Sequence, residues 1–226
     1  MTKVSTVILV HGAWADGSSW SKVVPLLKAK GIRPVAVQLP LNAFADDVAT
    51  VKRAIALEAG PVTLVGHSYG GQVITEAGTD DKVASLVFVA AFAPDTGESA
   101  GSLGASVAPA PAGAELRPDA QGFLKLTEAG IFNDFAQDLT PAEKDGLFAV
   151  QGPTQAAALG APVTDPAWKT KPSWYLVAGD DRAIQPDLQR TMAARIRATT
   201  VEVAASHVAI LSKPEETADL ILKALG

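Results

Sequence analysis

"VTLVGHSYGGQVITEAG", Val62 to Gly78, is the stretch on which the reading of this chain turns. A short, mainly apolar run leads into a serine flanked by glycines, and helix-patterned sequence follows. Gly66-His67-Ser68-Tyr69-Gly70 has the form G-x-S-x-G, with a predicted strand before it and a predicted helix after it, the context that motif requires. The need for glycine is steric. A nucleophile lifted clear of a sharp strand-to-helix turn takes backbone angles that crowd its surroundings, and small residues two places to either side relieve the crowding. The helix N-terminus behind Ser68 then presents N–H groups and a partial positive charge to a developing oxyanion. Ser68 is the candidate nucleophile.

Outward from this point, strand-like and helix-like runs alternate. "STVILV" (Ser5–Val10) is a strand ending at His11-Gly12, and "SWSKVVPLLKAKG" (Ser19–Gly31) has helical spacing with a glycine stop. "RPVAVQLP" reads as a second strand, and "DDVATVKRAIALEAG" (Asp46–Gly60) as a helix that opens on acids. "VASLVFVAAF" (Val83–Phe92) is nearly all apolar, the pattern of a strand covered on both faces. "SWYLVAG" (Ser173–Gly179), a helix after Pro186, the strand "TTVEVA" and a last helix "KPEETADLILKALG" complete the series. Such alternation predicts an α/β fold: a mostly parallel sheet of about six strands with helices on both faces.

Between Pro94 and about Lys171 the sequence gives no strand signal. "GESAGSLGASVAPAPAGAELRP" reads as a mobile connector, and "AQGFLKLTEAG", "TPAEKDGLFAV" (Thr140 as N-cap) and "GPTQAAALG" read as short helices. The expected organisation is a core from residues 1–93 and 172–226, with 94–171 inserted as a helical cap. Ligands in open α/β sheets bind beyond the carboxyl ends of the strands, so an insertion there is expected to roof a pocket.

A serine alcohol needs a base to take its proton. His207 is the best placed: it follows the strand "TTVEVA" and precedes the last helix, in a loop at the sheet's carboxyl end. His67, adjacent to Ser68, is expected to point elsewhere off the turn, and His11 to hydrogen-bond locally. The acid that orients the imidazole is sought in "GDDR", where both Asp180 and Asp181 lie at a strand's carboxyl end.

Composition narrows the alternatives. The chain of 226 residues is 48% hydrophobic with a formal charge of -5, which suits one globular domain and offers no basic stripe for nucleic acid. It has no cysteine, which excludes disulfides, thiol catalysis and thiolate metal sites, and its three histidines are too scattered for a metal centre. No cofactor is expected, and no membrane span, since no apolar run approaches about 18 residues. Lys3, "VILV" and "AWA" loosely imitate a secretory signal, but the apolar run falls short of the roughly 7–15 residues required, so a buried strand and a cytoplasmic location are expected.

Over its whole length the chain resembles the α/β-hydrolase superfamily. "VILVHGAWADGSSWSKVVPLLKAKG" and "LVGHSYGG" are similar to the branch that holds plant methylesterases, hydroxynitrile lyases and many small bacterial esterases. The order Ser, Asp, His is the order of that superfamily's triad. The branch's register, acid before a charged residue and a few places before a proline, favours Asp181, followed by Arg182 and Pro186, over Asp180. The resemblance also implies an oxyanion hole made by the backbone N–H groups of Ala13 and Tyr69. Hydroxynitrile lyases of the branch carry threonine where Gly12 stands and lysine where Val208 stands, so the lyase activity is not expected. Aspartate-nucleophile relatives are set aside by Ser68.

The expectation is a serine esterase acting on small carboxylic esters through an acyl-enzyme, with Ser68, Asp181 and His207 as its triad. Alternatives are another reaction on the same triad (lactone or carbon–carbon hydrolysis, perhydrolysis) or a hydrolase-like ligand receptor. Trp14, Phe92, Phe123, Phe132, Phe135 and Trp168 are the aromatic candidates for the walls of an apolar substrate pocket.

Overall fold

The computed structural model describes residues 4–226; Lys3 of the signal-like pattern lies outside them. Strands β1 (Thr6–Val10), β2 (Arg33–Ala36), β3 (Val62–His67) and β4 (Val83–Val89) precede the insertion. Within it lie the short strands β5 (Leu116–Pro118), β6 (Phe123–Leu126) and β7 (Thr154–Gln155), and after it come β8 (Ser173–Ala178) and β9 (Thr199–Val203). The six core strands form one parallel sheet in the order β2-β1-β3-β4-β8-β9.

Alternation along these strands builds two cores. Ile8 and Val10, Leu64, Leu86 and Phe88, and Tyr175 and Val177 face one way. They pack with residues of helices α2 (Phe44–Leu57), α3 (Tyr69–Ala77) and, later in the chain, Pro186–Arg195. Val7 and Leu9, Val65, Val87 and Val89, and Leu176 and Ala178 face the other way, against α1 (Val23–Ala29) and the last helix, Pro214–Ala224. Both faces are covered, which is why the central strands read as continuous apolar runs.

Topology places the site. The chain leaves β1 for β2 on one side and returns to β3 on the other, so the strand order reverses between β1 and β3. A crevice at the carboxyl ends follows from that reversal. Val10 is in register with Gly66, and His67 with Val89. Residues 11–13, Ser68 and the chain after β4 therefore leave the sheet side by side.

The insertion departs from the sequence reading in three places. The expected mobile connector is folded: it contains α4 (Ala100–Ala105), opened by a capping box between Ser99 and Ser102, and a 3-10 turn at Pro111–Glu115. "AQGFLKL" supplies β6 rather than a helix. Asp119 accepts hydrogen bonds from the backbone N–H groups of Gln121 and Phe123, and Gly122 takes φ +83°, which closes a hairpin between β5 and β6. The Asp and Gly of the turn outweigh the helical spacing. "GPTQAAALG" is likewise not all helix: Thr154 and Gln155 pair with Leu124 and Phe123 as β7 before α7 (Ala156–Gly160) begins. The other segments are helical: α5 (Glu128–Gly130), running on into a π turn at Ile131–Phe135, then α6 (Pro141–Val150) with Thr140 and Glu143 as its capping box. Among the described residues no helix is long and apolar enough to cross a membrane.

Leu64 on β3 is fully buried whereas Leu57 at the end of α2 is 84% exposed. Leu64→Ala is expected to cost ~2–5 kcal/mol in chemical denaturation and Leu57→Ala less than about 0.5 kcal/mol. Equal effects would contradict this assignment of the core.

Candidate active site

Ser68 sits between β3 and α3 with φ 55° and ψ −124°, a conformation that L-residues avoid. Its backbone is held on three sides: its N–H donates to Val89 O, and its carbonyl accepts from Gly71 N and Phe92 N. No spare volume surrounds the turn. A Cβ on Gly66 would lie 2.6 Å from Gly70 O, and one on Gly70 would lie 2.4 Å from Val10 O. Gly12 is equally constrained, since a Cβ there would meet Ser68 Cβ at 2.7 Å. The third glycine, on the neighbouring strand end, is thus as much a requirement of the serine as the two within G-x-S-x-G.

The fold brings Asp181 and His207 together. His207 Nδ1–H donates to Asp181 Oδ2 at 2.7 Å, both residues being buried. A carboxylate offers only acceptors, so this bond puts the proton on Nδ1 and leaves Nε2 unprotonated in the neutral ring. The other lone pairs of Asp181 are filled: Oδ1 accepts from the backbone N–H groups of Ala183 and Ile184, and Oδ2 also accepts from Gln189 Nε2 at 2.7 Å. Gln189, fully buried, in turn donates to Ile184 O and accepts from Ala178 N. Asp180 is exposed; its backbone carbonyl, not its carboxylate, is engaged, by Gln137 Nε2. Ser68 and His207 line one cavity of about 120 Å³ without a hydrogen bond between them.

Ala13 and Tyr69 line the same cavity, and among the described residues no group engages the backbone N–H of either. Tyr69 is the first residue of α3, where an N–H has no intrahelical partner. The Tyr69 hydroxyl is anchored away from the cavity, donating to the buried Asp47 at 2.7 Å. Behind Ala13, His11 Nε2 accepts from Leu39 N and Nδ1–H donates to Gly12 O at 2.8 Å. That carbonyl belongs to the same peptide unit as the Ala13 N–H, so His11 fixes the plane of the donor. Trp14 has φ 58°, costly for a bulky residue, and the insertion holds it there: its N–H donates to Thr154 Oγ1 and its indole N–H to Leu124 O.

Of the aromatic candidates, Trp14 and Phe92 line the cavity. Phe135 packs on the His207 ring at 4.8 Å and on Trp14 at 6.3 Å, from behind the site. Phe123, Phe132 and Trp168 are not on its walls. Phe123 lies in β6, Phe132 sits under the Lys144 ammonium, and Trp168 packs on the core with its N–H on Pro94 O. Small and aliphatic residues take those places: Ala100, Gly101, Leu159, Ala183 and Ile184. His67 turns out to touch the base: its Nε2–H donates to His207 O, and the two rings are 4.9 Å apart. Among the described residues no group of three or more Asp, Glu or His is placed to hold a metal ion.

A strained serine at a strand–helix turn, a buried carboxylate–imidazole pair and two free backbone donors define a hydrolase-type site on a parallel α/β sheet. The model of the Alpha/beta hydrolase family matches residues 7–220, and the chain belongs to that family. It is similar to Esterase PIR7B of Oryza sativa subsp. japonica, 30% identical over 95% of this chain and 92% of that one. The Pyrethroid hydrolase of Sphingobium wenxiniae is 28% identical, covering 96% of this chain and 86% of its own. Among solved structures, a pyrethroid hydrolase from Sphingobium faniae superposes with a TM-score of 0.85 at 24% identity, over 98% and 97% of the two chains.

Burial pushes His67 from the ordinary 6.5 down to about 3 and lowers His11 as well. Between about pH 6.5 and 3 the unfolded chain binds protons that the folded state refuses, so stability is complete above this window and falls as pH drops through it. Each such histidine contributes a slope of up to ~1.4 kcal/mol per pH unit. Urea denaturation at several pH values should show His67→Asn losing stability less steeply on acidification than wild type; parallel slopes would contradict the assignment.

Proposed function

We propose that this protein is a serine esterase that hydrolyses small carboxylic esters through an acyl-enzyme. One observation carries the reading: buried Asp181 holds the His207 Nδ1–H at 2.7 Å, which leaves Nε2 as the base in the cavity that Ser68 lines. His207 Nε2 takes the Ser68 proton as Oγ attacks the carbonyl carbon. Asp181 keeps the imidazole in the correct tautomer and stabilises the imidazolium that forms. The Ala13 and Tyr69 N–H groups receive the tetrahedral oxyanion, and each such donor is worth about 10²–10³ in turnover. The alcohol leaves with the proton from His207; water, activated by the same base, then releases the acid and restores Ser68.

Two of the relatives agree with this chemistry, one named an esterase and another a pyrethroid hydrolase.

Hydrolysis of p-nitrophenyl esters of increasing acyl length tests the reading. Ser68→Ala and Asp181→Asn should each lower kcat by about 10⁴-fold, whereas Asp180→Asn should stay within about twofold of wild type, its side chain being exposed. Turnover that survives Ser68→Ala, or a greater loss at Asp180 than at Asp181, would contradict it.

A further inference from the structure

A single buried side chain spans the loop that carries the acid. Gln189 lies on helix α8 (Pro186–Arg195) and is fully buried. Its Oε1 accepts from Ala178 N at 3.0 Å, at the end of β8, and its Nε2 donates to Ile184 O at 2.9 Å and to Asp181 Oδ2 at 2.7 Å. The amide has one orientation: the Ala178 N–H requires an acceptor, which turns Oε1 to β8 and leaves both Nε2 hydrogens for the carbonyl and the carboxylate. Two of these bonds brace the backbone on either side of the acid. The third falls on the same oxygen that receives the His207 Nδ1–H.

A carboxylate offers about four acceptor sites. Those of Asp181 are taken by Ala183 N and Ile184 N on Oδ1 and by Gln189 and His207 on Oδ2. The Oδ1 donors belong to the same loop as Asp181 and move with it. Gln189 comes from α8, so its bond fixes Oδ2 relative to the packed helix and the end of β8. From this geometry we infer that Gln189 is a positioning residue of the triad: it holds the Asp181 carboxylate in place for the His207 Nδ1–H and thereby sustains turnover. The inference rests on the esterase reading. Without that amide the carboxylate is free to turn about Cβ–Cγ, and the imidazole loses the fixed partner that orients it. Gln189 does not line the cavity of Ser68, so its effect falls on kcat and leaves KM alone.

Gln189→Met keeps the size of the side chain and removes the donor. Its kcat for the p-nitrophenyl ester that wild type prefers should fall at least about tenfold, with KM within about twofold. In the Asp181→Asn background the same substitution should change kcat by less than about twofold, because Gln189 acts through Asp181. Equal losses in the two backgrounds, as a purely structural brace would give, or a rise in KM with kcat unchanged, would overturn the inference. Gln189→Glu keeps an acceptor for Ala178 N, which protects the fold, and sets a titrating carboxyl group against Asp181. Asp181 and His207 are the titratable groups on that side; Tyr175, near enough to feel the Asp181 charge, donates to Ala91 O and is raised out of range. The kcat of Gln189→Glu relative to wild type should change at least about tenfold between about pH 6 and 9, and a constant ratio would overturn the inference. A readout without substrate separates the two claims. The His207 Nδ1–H proton signal in NMR, identified by its loss in His207→Ala, should exchange with water at least about tenfold faster in Gln189→Met. If wild type turns over no ester, the esterase reading falls while this measurement still decides whether Gln189 holds the carboxylate. If ester is turned over and neither kcat nor exchange responds, the inference falls alone.

Discussion

The junction of β3 and α3 has no spare volume, and the rest of the site is arranged around that fact. Ser68 is held at φ 55° because the helix must start immediately where the strand stops, with the Gly70 position against the carbonyl of Val10 on the neighbouring strand. Three glycines, Gly12, Gly66 and Gly70, supply the room, and three backbone hydrogen bonds hold the strained residue in place. Strain of this kind, of order 1–3 kcal/mol, persists only where the surroundings over-determine it. Here the sheet does so, through the registers of β1 with β3 and of β3 with β4.

The sheet alone does not complete the site. The loop that carries Ala13 is braced from the core side by His11 and from the insertion by Thr154 and Leu124, which keep Trp14 in the left-handed region. The His207 loop is likewise gripped from the insertion, with Asp138 accepting from Ser206 N and Phe135 packed on the imidazole. An ion pair between Arg182 and Asp134 ties the insertion to the residue next to Asp181. Folding of segment 94–171 is thus coupled to the geometry of all three loops, which gives the insertion a structural part in positioning the site as well as walls for the pocket.

Much of this was legible in the sequence because it rests on local rules. Alternating apolar runs revealed the six strands, and G-x-S-x-G in a strand-to-helix context revealed the turn. His207 and the two aspartates stand out because they follow strands, although only a family resemblance favours Asp181 over Asp180. What was not legible depends on tertiary contacts. Gln189 and Gln72 are polar residues of helices, which ordinarily read as surface, yet both are fully buried and make several hydrogen bonds to backbone. The strands of the insertion were hidden because β6 is four residues long and its register depends on a turn at Asp119. Aromatic residues suggest pocket walls in the sequence, while the chain uses Phe132 and Trp168 in packing and leaves the walls mostly to small and aliphatic residues.

Activation of Ser68 is tested most directly by intact-protein and peptide mass spectrometry after treatment with a fluorophosphonate, which phosphonylates only an activated serine hydroxyl. One adduct per chain is expected, located on Ser68 and formed slowly or not at all in His207→Ala. An adduct on another serine, or modification of Ser68 at the same rate without His207, would contradict it.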